Sequence, residues 1–279
     1  MTLLDDGGTM HEGSVAFLPG GVMIRISKLA RLSIGAALIA ACSRGASMIP
    51  STAARPAAAP GPTTAAPRPL PNDLKWFRLS AEYRALARQA YGLAGERLPE
   101  LSRGLAAGSW GVILDADETI LDNSEYERRR FMADSGYTDA SWMTWVNERA
   151  AAAVPGSVDF TKRVRSLGGR VVVVTNRAES LCVPTRANLA SIGVEADAVL
   201  CQPPGESDKN PRFDRIERGS AAAGLPPLHI VEWLGDNIMD FPHLTQAARN
   251  DPAQLAEFGK RYFILPNPMY GSWQQNREP

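Results

Sequence analysis

Two aspartates one residue apart, Asp115 and Asp117, directly follow the apolar run at residues 111–114. Such a run predicts a buried strand, and the carboxyl end of a parallel strand faces the crevice where open α/β sheets bind ligands. Two carboxylates at that point can supply a nucleophile, a general acid and base, and oxygen ligands for a metal ion. The pair therefore indicates phosphoryl-transfer chemistry.

Later parts of the chain supply matching polar groups at predicted strand and helix ends, namely Thr175, Asn176, Lys209, Asp236 and Asp240. Thr175 follows the apolar run at residues 171–174, and Asp236 follows the run at residues 230–234. Taken singly, each residue also fits a solvated loop acid, a strand-end cap or an exposed charge. Their shared position after strand and helix boundaries favours one common site.

In that site we expect Asp115 to be the nucleophile that forms an aspartyl-phosphate, and Asp117 to act as general acid and then as base. Mg²⁺ prefers a few protein carboxylates together with water and substrate phosphate. Asp115 and Asp236 fit that preference, and we expect Asp240 to lie behind them or to bind the ion through water.

The transferring phosphoryl group carries negative charge, which fixed hydrogen-bond donors and cations stabilise. We expect Thr175 and the backbone N–H that follows it, at Asn176, to donate to this group. Lys209 would offset charge on the phosphate and on the nucleophile.

Beyond residue 73, apolar runs alternate with helical periodicities. This alternation predicts an α/β fold, a doubly wound parallel sheet with helices on both faces. Residues 123–154 are too many for a simple connection and predict a small helical cap. The folded domain therefore spans residues 73–279, with the cap inside it.

The amino-terminal part has a different character. Residues 1–42 are interpreted as an over-extended start followed by a lipoprotein signal peptide, with a basic stretch after Met23 and small residues before Cys42, the lipidation site. The alternatives are an uncleaved anchor helix or a buried helix. Residues 43–72, rich in Pro and Ala, predict a disordered tether. We expect an exported protein held in a bacterial outer membrane by lipid on Cys42.

Charge and cysteine content limit the partners. With 30 basic and 30 acidic residues, the formal net charge is zero, which argues against binding a nucleic-acid polymer. Cys182 and Cys201 either form a disulfide or are two small buried thiols, and the sequence leaves both open. A homodimer also stays open.

These motifs resemble the class C acid phosphatases, exported lipoprotein phosphatases and 5′-nucleotidases of the haloacid dehalogenase superfamily with four aspartates. The resemblance covers most of residues 73–279. Its motifs are Trp76-Phe77, Ser80-Ala81-Glu82-Tyr83, Asp115-Ala116-Asp117-Glu118-Thr119, Leu121-Asp122-Asn123-Ser124, Val154-Pro155-Gly156, Thr175-Asn176-Arg177, Lys209 with Arg212-Phe213, Gly235-Asp236-Asn237 with Asp240-Phe241, and Leu265-Pro266-Asn267 with Tyr270-Gly271.

The resemblance implies a haloacid dehalogenase-like fold and a Mg²⁺-dependent phosphomonoesterase with an acidic optimum, acting on nucleoside 5′-monophosphates. It implies a metal held by Asp115, the backbone carbonyl of Asp117 and Asp236. Nucleotide bases would stack against Trp142 and Tyr270, because every base has a π-face. Packing inside the cap is the alternative role for Trp142.

Two other functions compete with this interpretation. One is a phosphatase for other small phosphates, which the cap would decide. The other is a non-catalytic lipoprotein that binds haem or a surface. The sequence supports the second weakly, because its histidines are only His11, His229 and His243 and it has no Cys-x-x-Cys-His motif.

Overall fold

The structure, a computed structural model, describes residues 68–278. The predicted signal peptide with Cys42, and most of the predicted tether, lie outside the described residues. The first helix begins at Asn72, at the end of the segment predicted as a tether. Within residues 68–278, no helix combines the length and the apolar character that a membrane crossing needs.

A central parallel sheet organises the described part of the chain. The strands are β1 (Trp110–Leu114), β2 (Leu121–Asp122), β3 (Ala152–Ala153), β4 (Arg170–Ala178), β5 (Ala198–Gln202), β6 (His229–Gly235) and β7 (Tyr262–Ile264). Five of them form one sheet in the order β5-β4-β1-β6-β7, and each neighbouring pair is parallel. Every residue of the central strand β1 is buried, as its apolar sequence predicts for a strand covered on both faces.

Helices cover the sheet. They are α1 (Asn72–Leu79), α2 (Ala81–Leu101), α3 (Ser124–Met132), α4 (Asp139–Glu148), α5 (Ser157–Ser166), α6 (Cys182–Ser191) and α7 (Asn210–Glu217). The longest, α2, begins where the Ser80 hydroxyl accepts a hydrogen bond from the Tyr83 backbone N–H at 3.0 Å. Its apolar face is buried through Tyr83, Ala87, Tyr91, Ala94 and Leu98.

Two apolar cores flank the sheet. On one face, Val112 and Val173 pack with residues of α2, α5 and α6. On the other face, Ile113 and Val172 pack with α7 and with Phe241. Because successive strand residues point to opposite faces, the continuous apolar runs supply both cores. The predicted doubly wound parallel sheet is confirmed, and the packing holds its strand ends in fixed positions.

The region predicted as a cap, residues 123–154, contains α3 and α4. The short strands β2 and β3 pair antiparallel at its base. Aromatic rings hold the two helices together, since the Tyr126 ring lies 5.1 Å from Trp142 and 6.3 Å from Trp145, measured between ring centroids. The cap is therefore a small packed unit joined to the sheet next to the end of β1.

Cys182 and Cys201 are joined by a disulfide, with their Cα atoms 5.8 Å apart. This separation lies within the ordinary range for such bonds. Of the two alternatives that the sequence leaves open, the structure shows the bonded one. The disulfide ties the first residue of α6 to the edge strand β5.

Candidate active site

The site forms where the central strands end. Asp115 directly follows β1, and Asp236 directly follows β6, the neighbour of β1 in the sheet. Thr175 and Asn176 lie in the second half of β4, the other neighbour of β1. Since parallel strands end at the same edge, residues far apart in sequence meet there.

Three carboxylates converge at this edge, and we call Asp115, Asp236 and Asp240 the acid cluster. One oxygen from each lies within 4.8 Å of the other two. The Asp236 carboxylate also accepts hydrogen bonds from Thr119 Oγ1 at 3.2 Å and from Asn267 Nδ2 at 2.9 Å. These hydrogen bonds fix the orientation of the Asp236 carboxylate within the acid cluster.

Asp240 is brought into the cluster by a tight backbone turn. The Asn237 backbone N–H donates to Asp240 Oδ2 at 2.9 Å, which closes a short 3-10 helix, Ile238–Asp240. A Cβ atom added at Gly235 would overlap the Asp240 side chain. The glycine of the Gly235-Asp236-Asn237 motif thus permits Asp240 to pack against the strand end.

Lys209 is a cation in direct contact with the acid cluster. Its Nζ donates to Asp115 Oδ1 at 2.5 Å and to Asp240 Oδ1 at 2.6 Å. Burial alone would lower the pKa of Lys209, but the two carboxylates outweigh burial and raise it above its ordinary value. The lysine therefore stays charged between two members of the acid cluster.

Burial dominates the electrostatics of the acids. It raises the pKa of Asp115 to about 7, although Lys209 opposes the change. It also raises the pKa of Asp236 well above its usual range, and the charges of Asp240 and Asp115 add to this effect. With all three acids ionised, one lysine would leave excess negative charge in the cluster, which a bound cation would offset. Hard carboxylate oxygens suit a divalent cation, so the cluster is compatible with a metal site.

Asp117 faces different partners from Asp115. Its Oδ1 atom accepts hydrogen bonds from Asn123 Nδ2 at 2.8 Å and from Arg177 Nη2 at 2.7 Å. Arg177 Nε also lies 3.0 Å from Oδ1 and 3.2 Å from Oδ2. The two aspartates of the motif thus sit in separate polar environments, one next to Lys209 and the other next to an arginine.

Two neighbouring cavities open at these residues. The catalytic cavity, of about 210 Å³, is lined by Asp115, Asp117, Asn176, Lys209, Asp236, Asn237, Met239, Asp240 and Tyr270. The aromatic cavity, of about 490 Å³, is lined by Asp117, Tyr126, Glu127, Arg130, Tyr137, Trp142, Asn176, Arg177, Met269, Tyr270 and Gln274. Asp117, Asn176 and Tyr270 line both, so the two cavities adjoin.

The structure brings most of the predicted site residues to these two cavities. Thr175 lies behind them, fully buried, with its Oγ1 accepting the Arg177 backbone N–H at 3.1 Å. Trp142 lines the aromatic cavity and also lies under the Arg177 guanidinium, 5.2 Å from the Trp142 ring centroid. Met239 lines the catalytic cavity. His229 and His243 line neither cavity.

Sequence reasoning gave no role to three residues that hold the site together. Arg177 is 2% exposed and binds Asp117, Asn123 bridges Asp117 to the cap, and Asn267 holds Asp236. Successive side chains of a strand point to opposite faces, so Arg177, two residues after Thr175, lies on the same face as Thr175. This spacing is the sequence signal that could have identified Arg177. No local pattern marks Asn267, whose position depends on where β7 ends.

Known proteins resemble this chain in sequence and in fold. The family described as HAD superfamily, subfamily IIIB (acid phosphatase), matches residues 58–273. The crystal structure of the class C acid phosphatase from Bacillus anthracis with tungstate bound is 31% identical with a TM-score of 0.65, over 72% of this chain and 85% of that one. Another structure of the class C acid phosphatase from Bacillus anthracis is 30% identical with a TM-score of 0.64, over the same shares.

A plant protein is a more distant relative. The stem 31 kDa glycoprotein of Glycine max is 25% identical over 166 residues, which are 57% of this chain and 58% of the relative. The chain thus spans somewhat more than half the length of that curated relative. The family match extends across the sheet and the cap, and the Bacillus anthracis structures share the parallel-sheet fold. The chain belongs to the HAD superfamily, subfamily IIIB, the acid phosphatases.

Proposed function

We propose that this protein is a metal-dependent acid phosphatase that hydrolyses phosphate monoesters, with nucleoside 5′-monophosphates as substrates. One observation carries the proposal: Asp115 and Asp117 line the same small cavity as Lys209 and the rest of the acid cluster. Nucleophile, acid, fixed cation and metal-ligating oxygens are the parts that phosphate monoester hydrolysis requires. Family membership supports the same reaction.

The chemistry divides between the two aspartates of the motif. A carboxylate oxygen of Asp115 attacks phosphorus, forming an aspartyl-phosphate while the bond to the leaving oxygen breaks. Asp117 donates its proton to that oxygen, so the alcohol departs neutral. Asp117, now a carboxylate, then takes a proton from water, and this water attacks phosphorus, releasing inorganic phosphate and restoring Asp115. Lys209 offsets negative charge on Asp115 and on the phosphoryl group.

The oxygen donors of the acid cluster fit Mg²⁺, and we propose this ion as the cofactor. Asp115 and Asp236 would hold it together with the backbone carbonyl of Asp117, while Asp240, engaged by Lys209, would reach it through water. When bound, Mg²⁺ neutralises the non-bridging oxygens of a phosphate ester. Tungstate, a phosphate-like oxyanion, is bound in the similar Bacillus anthracis structure, which supports an oxyanion site here.

The aromatic cavity supports a nucleoside as the leaving group. Trp142 and Tyr270 both line it, with Tyr126 and Tyr137 beside them. Aromatic side chains stack on bases of any identity. Because Tyr270 and Asp117 also line the catalytic cavity, a nucleoside in the aromatic cavity would have its 5′ oxygen next to the proposed general acid.

A substrate panel tests this proposal. The full chain, supplied with Mg²⁺, is assayed with adenosine 5′-monophosphate, ribose 5-phosphate and phosphoserine. We expect hydrolysis of all three, with the highest kcat/KM for the nucleotide, because only the nucleotide carries a base to stack. Equal or higher kcat/KM for ribose 5-phosphate or phosphoserine would instead support a phosphatase for other small phosphates.

We also propose that the protein is an outer-membrane lipoprotein anchored by lipid on Cys42. The support is the sequence alone, namely the basic stretch, short apolar segment and small residues before this cysteine. Mass spectrometry of the mature protein from membranes should find a diacylglyceryl-modified amino-terminal cysteine. The Cys42→Ala variant should lack this modification, and an unmodified native amino terminus upstream of Cys42 would refute the proposal.

A further inference from the structure

Asn123 occupies a central position between the motif aspartates and the cap. It is 1% exposed and directly precedes α3, at the start of the cap. Its Nδ2 donates to Asp117 Oδ1 at 2.8 Å, and its Oδ1 accepts from Trp145 Nε1 at 2.8 Å. One amide thus connects the proposed general acid to helix α4 of the cap.

The indole of Trp145 fixes which way this amide points. An indole N–H can only donate, so Trp145 must face the carbonyl oxygen of Asn123 and not its amino group. Arg177 Nη2, also only a donor, lies 3.2 Å from the same oxygen. The amino group is therefore directed to Asp117, where an amide flip would instead place two oxygens against each other.

The backbone of Asn123 is held as firmly as its side chain. Its N–H donates to Glu118 Oε1 at 2.8 Å. Glu118 is fully buried and adopts a φ of 53°, in the left-handed region that non-glycine residues rarely occupy. The packing of the surrounding residues thus maintains an uncommon backbone conformation directly after Asp117.

These contacts divide the two oxygens of Asp117 between different tasks. Oδ1 accepts from Asn123 and twice from Arg177, whereas Oδ2 has only the 3.2 Å contact with Arg177 Nε among the described residues. An oxygen with few partners is the one free to hold a proton for a leaving group at the cavity that Asp117 lines.

We infer that Trp145 and Asn123 are positioning residues, which orient Asp117 toward the leaving oxygen through the chain from indole N–H to amide to carboxylate. The inference rests on the proposed phosphatase function. Trp145 is 3% exposed and lines neither the catalytic nor the aromatic cavity, so it acts through Asn123 and not by touching substrate. The docked cap is thereby a requirement for protonation of the leaving group.

The test is the dependence of kcat/KM on the leaving group. The full-length protein with Mg²⁺ is assayed against two esters. The 4-nitrophenolate of 4-nitrophenyl phosphate leaves readily without a proton, whereas the more basic phenolate of phenyl phosphate depends more strongly on being protonated as it leaves. General acid catalysis accelerates a reaction by about 10²- to 10⁴-fold. Partial misplacement of the acid should therefore lower kcat/KM most for esters with poor leaving groups. For Trp145→Phe and for Asn123→Ala we expect the kcat/KM ratio of 4-nitrophenyl to phenyl phosphate to rise by about tenfold.

This ratio is measured on one preparation, so it does not change with the fraction of folded enzyme. Trp233→Phe is the matched control, because Trp233 is 4% exposed in β6 and its Nε1 has no hydrogen-bond partner among the described residues. We expect this variant to lose stability but keep the wild-type ratio. An unchanged ratio in both Trp145→Phe and Asn123→Ala would overturn the inference, whereas a wild-type protein inactive on both esters would instead refute the proposed function.

Discussion

At the scale of single residues, two aspartates of one short loop meet opposite requirements. Asp115 accepts a hydrogen bond from Lys209, whose positive charge favours the carboxylate form that the proposed nucleophile needs. Asp117 accepts hydrogen bonds from Arg177 and Asn123 at Oδ1, whereas among the described residues only Arg177 Nε, at 3.2 Å, contacts Oδ2, the oxygen that we propose for proton transfer. Differences in surroundings, and not in residue type, thus support the two roles that we propose for these aspartates.

Replacing Asp115, the proposed nucleophile, should abolish turnover without unfolding the protein. In Asp115→Asn the amide keeps the size of the side chain but cannot form the aspartyl-phosphate, so we expect kcat to fall by at least about 10³-fold. The matched control is Asp214→Asn, an exposed acid of α7 that lies outside both cavities. Thermal melting should show both variants folded, and appreciable activity in Asp115→Asn would contradict the assigned role.

Removing the Trp142 ring should affect nucleotides selectively. Stacking of a base on an aromatic side chain is worth about 1–3 kcal/mol. We therefore expect Trp142→Ala to raise KM for adenosine 5′-monophosphate by about tenfold or more. Ribose 5-phosphate, which has the same leaving oxygen but no base, is the reference substrate, and an equal rise in its KM would show that Trp142 does not stack a base.

The sequence predicted those residues that are tied to strand ends. Asp115 and Asp236 could be placed because an apolar run shows where a buried strand stops and therefore where its last side chain points. Asn123 and Trp145 could not be paired, since their contact depends on how the cap folds back over the sheet. Tertiary geometry of this kind has no local signature in a single chain.

At the scale of elements, strand β6 contains a carboxyl group in an unusual position. Glu232 is fully buried, and neither of its oxygens has a hydrogen-bond partner among the described residues. Burial raises its pKa from 4.5 to about 9, although the charges of Arg97 and Arg261 oppose the change. We therefore expect Glu232 to be protonated and neutral in the folded protein at neutral pH.

This shift makes stability depend on pH. Between about pH 4.5 and about pH 9 the folded state holds a proton at Glu232 that the unfolded state has lost, so the free energy of unfolding should fall as pH rises. The slope from this one group is at most about 1.4 kcal/mol per pH unit. Urea unfolding at about pH 5 and about pH 8 measures how far the free energy of unfolding falls over this interval, and the fall should be smaller for Glu232→Gln than for wild type. An equal fall in both proteins would mean that Glu232 is ionised when folded.

The disulfide between α6 and β5 should contribute to stability. It closes a loop with a sequence separation of 19, for which chain-entropy arguments give about 3 kcal/mol. Replacing both Cys182 and Cys201 with alanine should lower the free energy of unfolding by about that amount. A reductant should destabilise the wild type to a similar degree and leave the double variant unchanged; a wild type that is fully reduced yet equally stable would contradict this.

The disulfide also shows where sequence reasoning about elements stops. Cys182 begins helix α6 and Cys201 lies in strand β5, and the alternating sequence patterns predict a helix and a strand in this part of the chain. Whether Cys182 and Cys201 come within bonding distance depends on how α6 packs beside β5. The spacing of 19 residues fits a buried thiol pair equally well.

At the scale of the whole molecule, the residues proposed for the reaction and those proposed for substrate choice lie in different parts of the fold. Strand ends and the turn after β6 position the acid cluster, and the start of α7 positions Lys209. The cap supplies Trp142 and, through Trp145 and Asn123, the proposed orientation of Asp117. The zero net charge of the chain favours phosphate recognition by these local groups over recognition by a broad basic surface. Substrate choice should accordingly follow changes in the cap, and the reaction itself should follow changes at the strand ends.

Metal-dependent hydrolysis of adenosine 5′-monophosphate tests the central claim most directly. The full chain is treated with a chelator, assayed for phosphate release in mildly acidic buffer, and assayed again after Mg²⁺ is restored, with Asp115→Asn in parallel. We predict that release stops with the chelator, returns with Mg²⁺ and is absent throughout in Asp115→Asn. A folded wild type that releases no phosphate in the presence of Mg²⁺, or one that turns over equally in chelator, would contradict the assignment of a metal-dependent phosphatase.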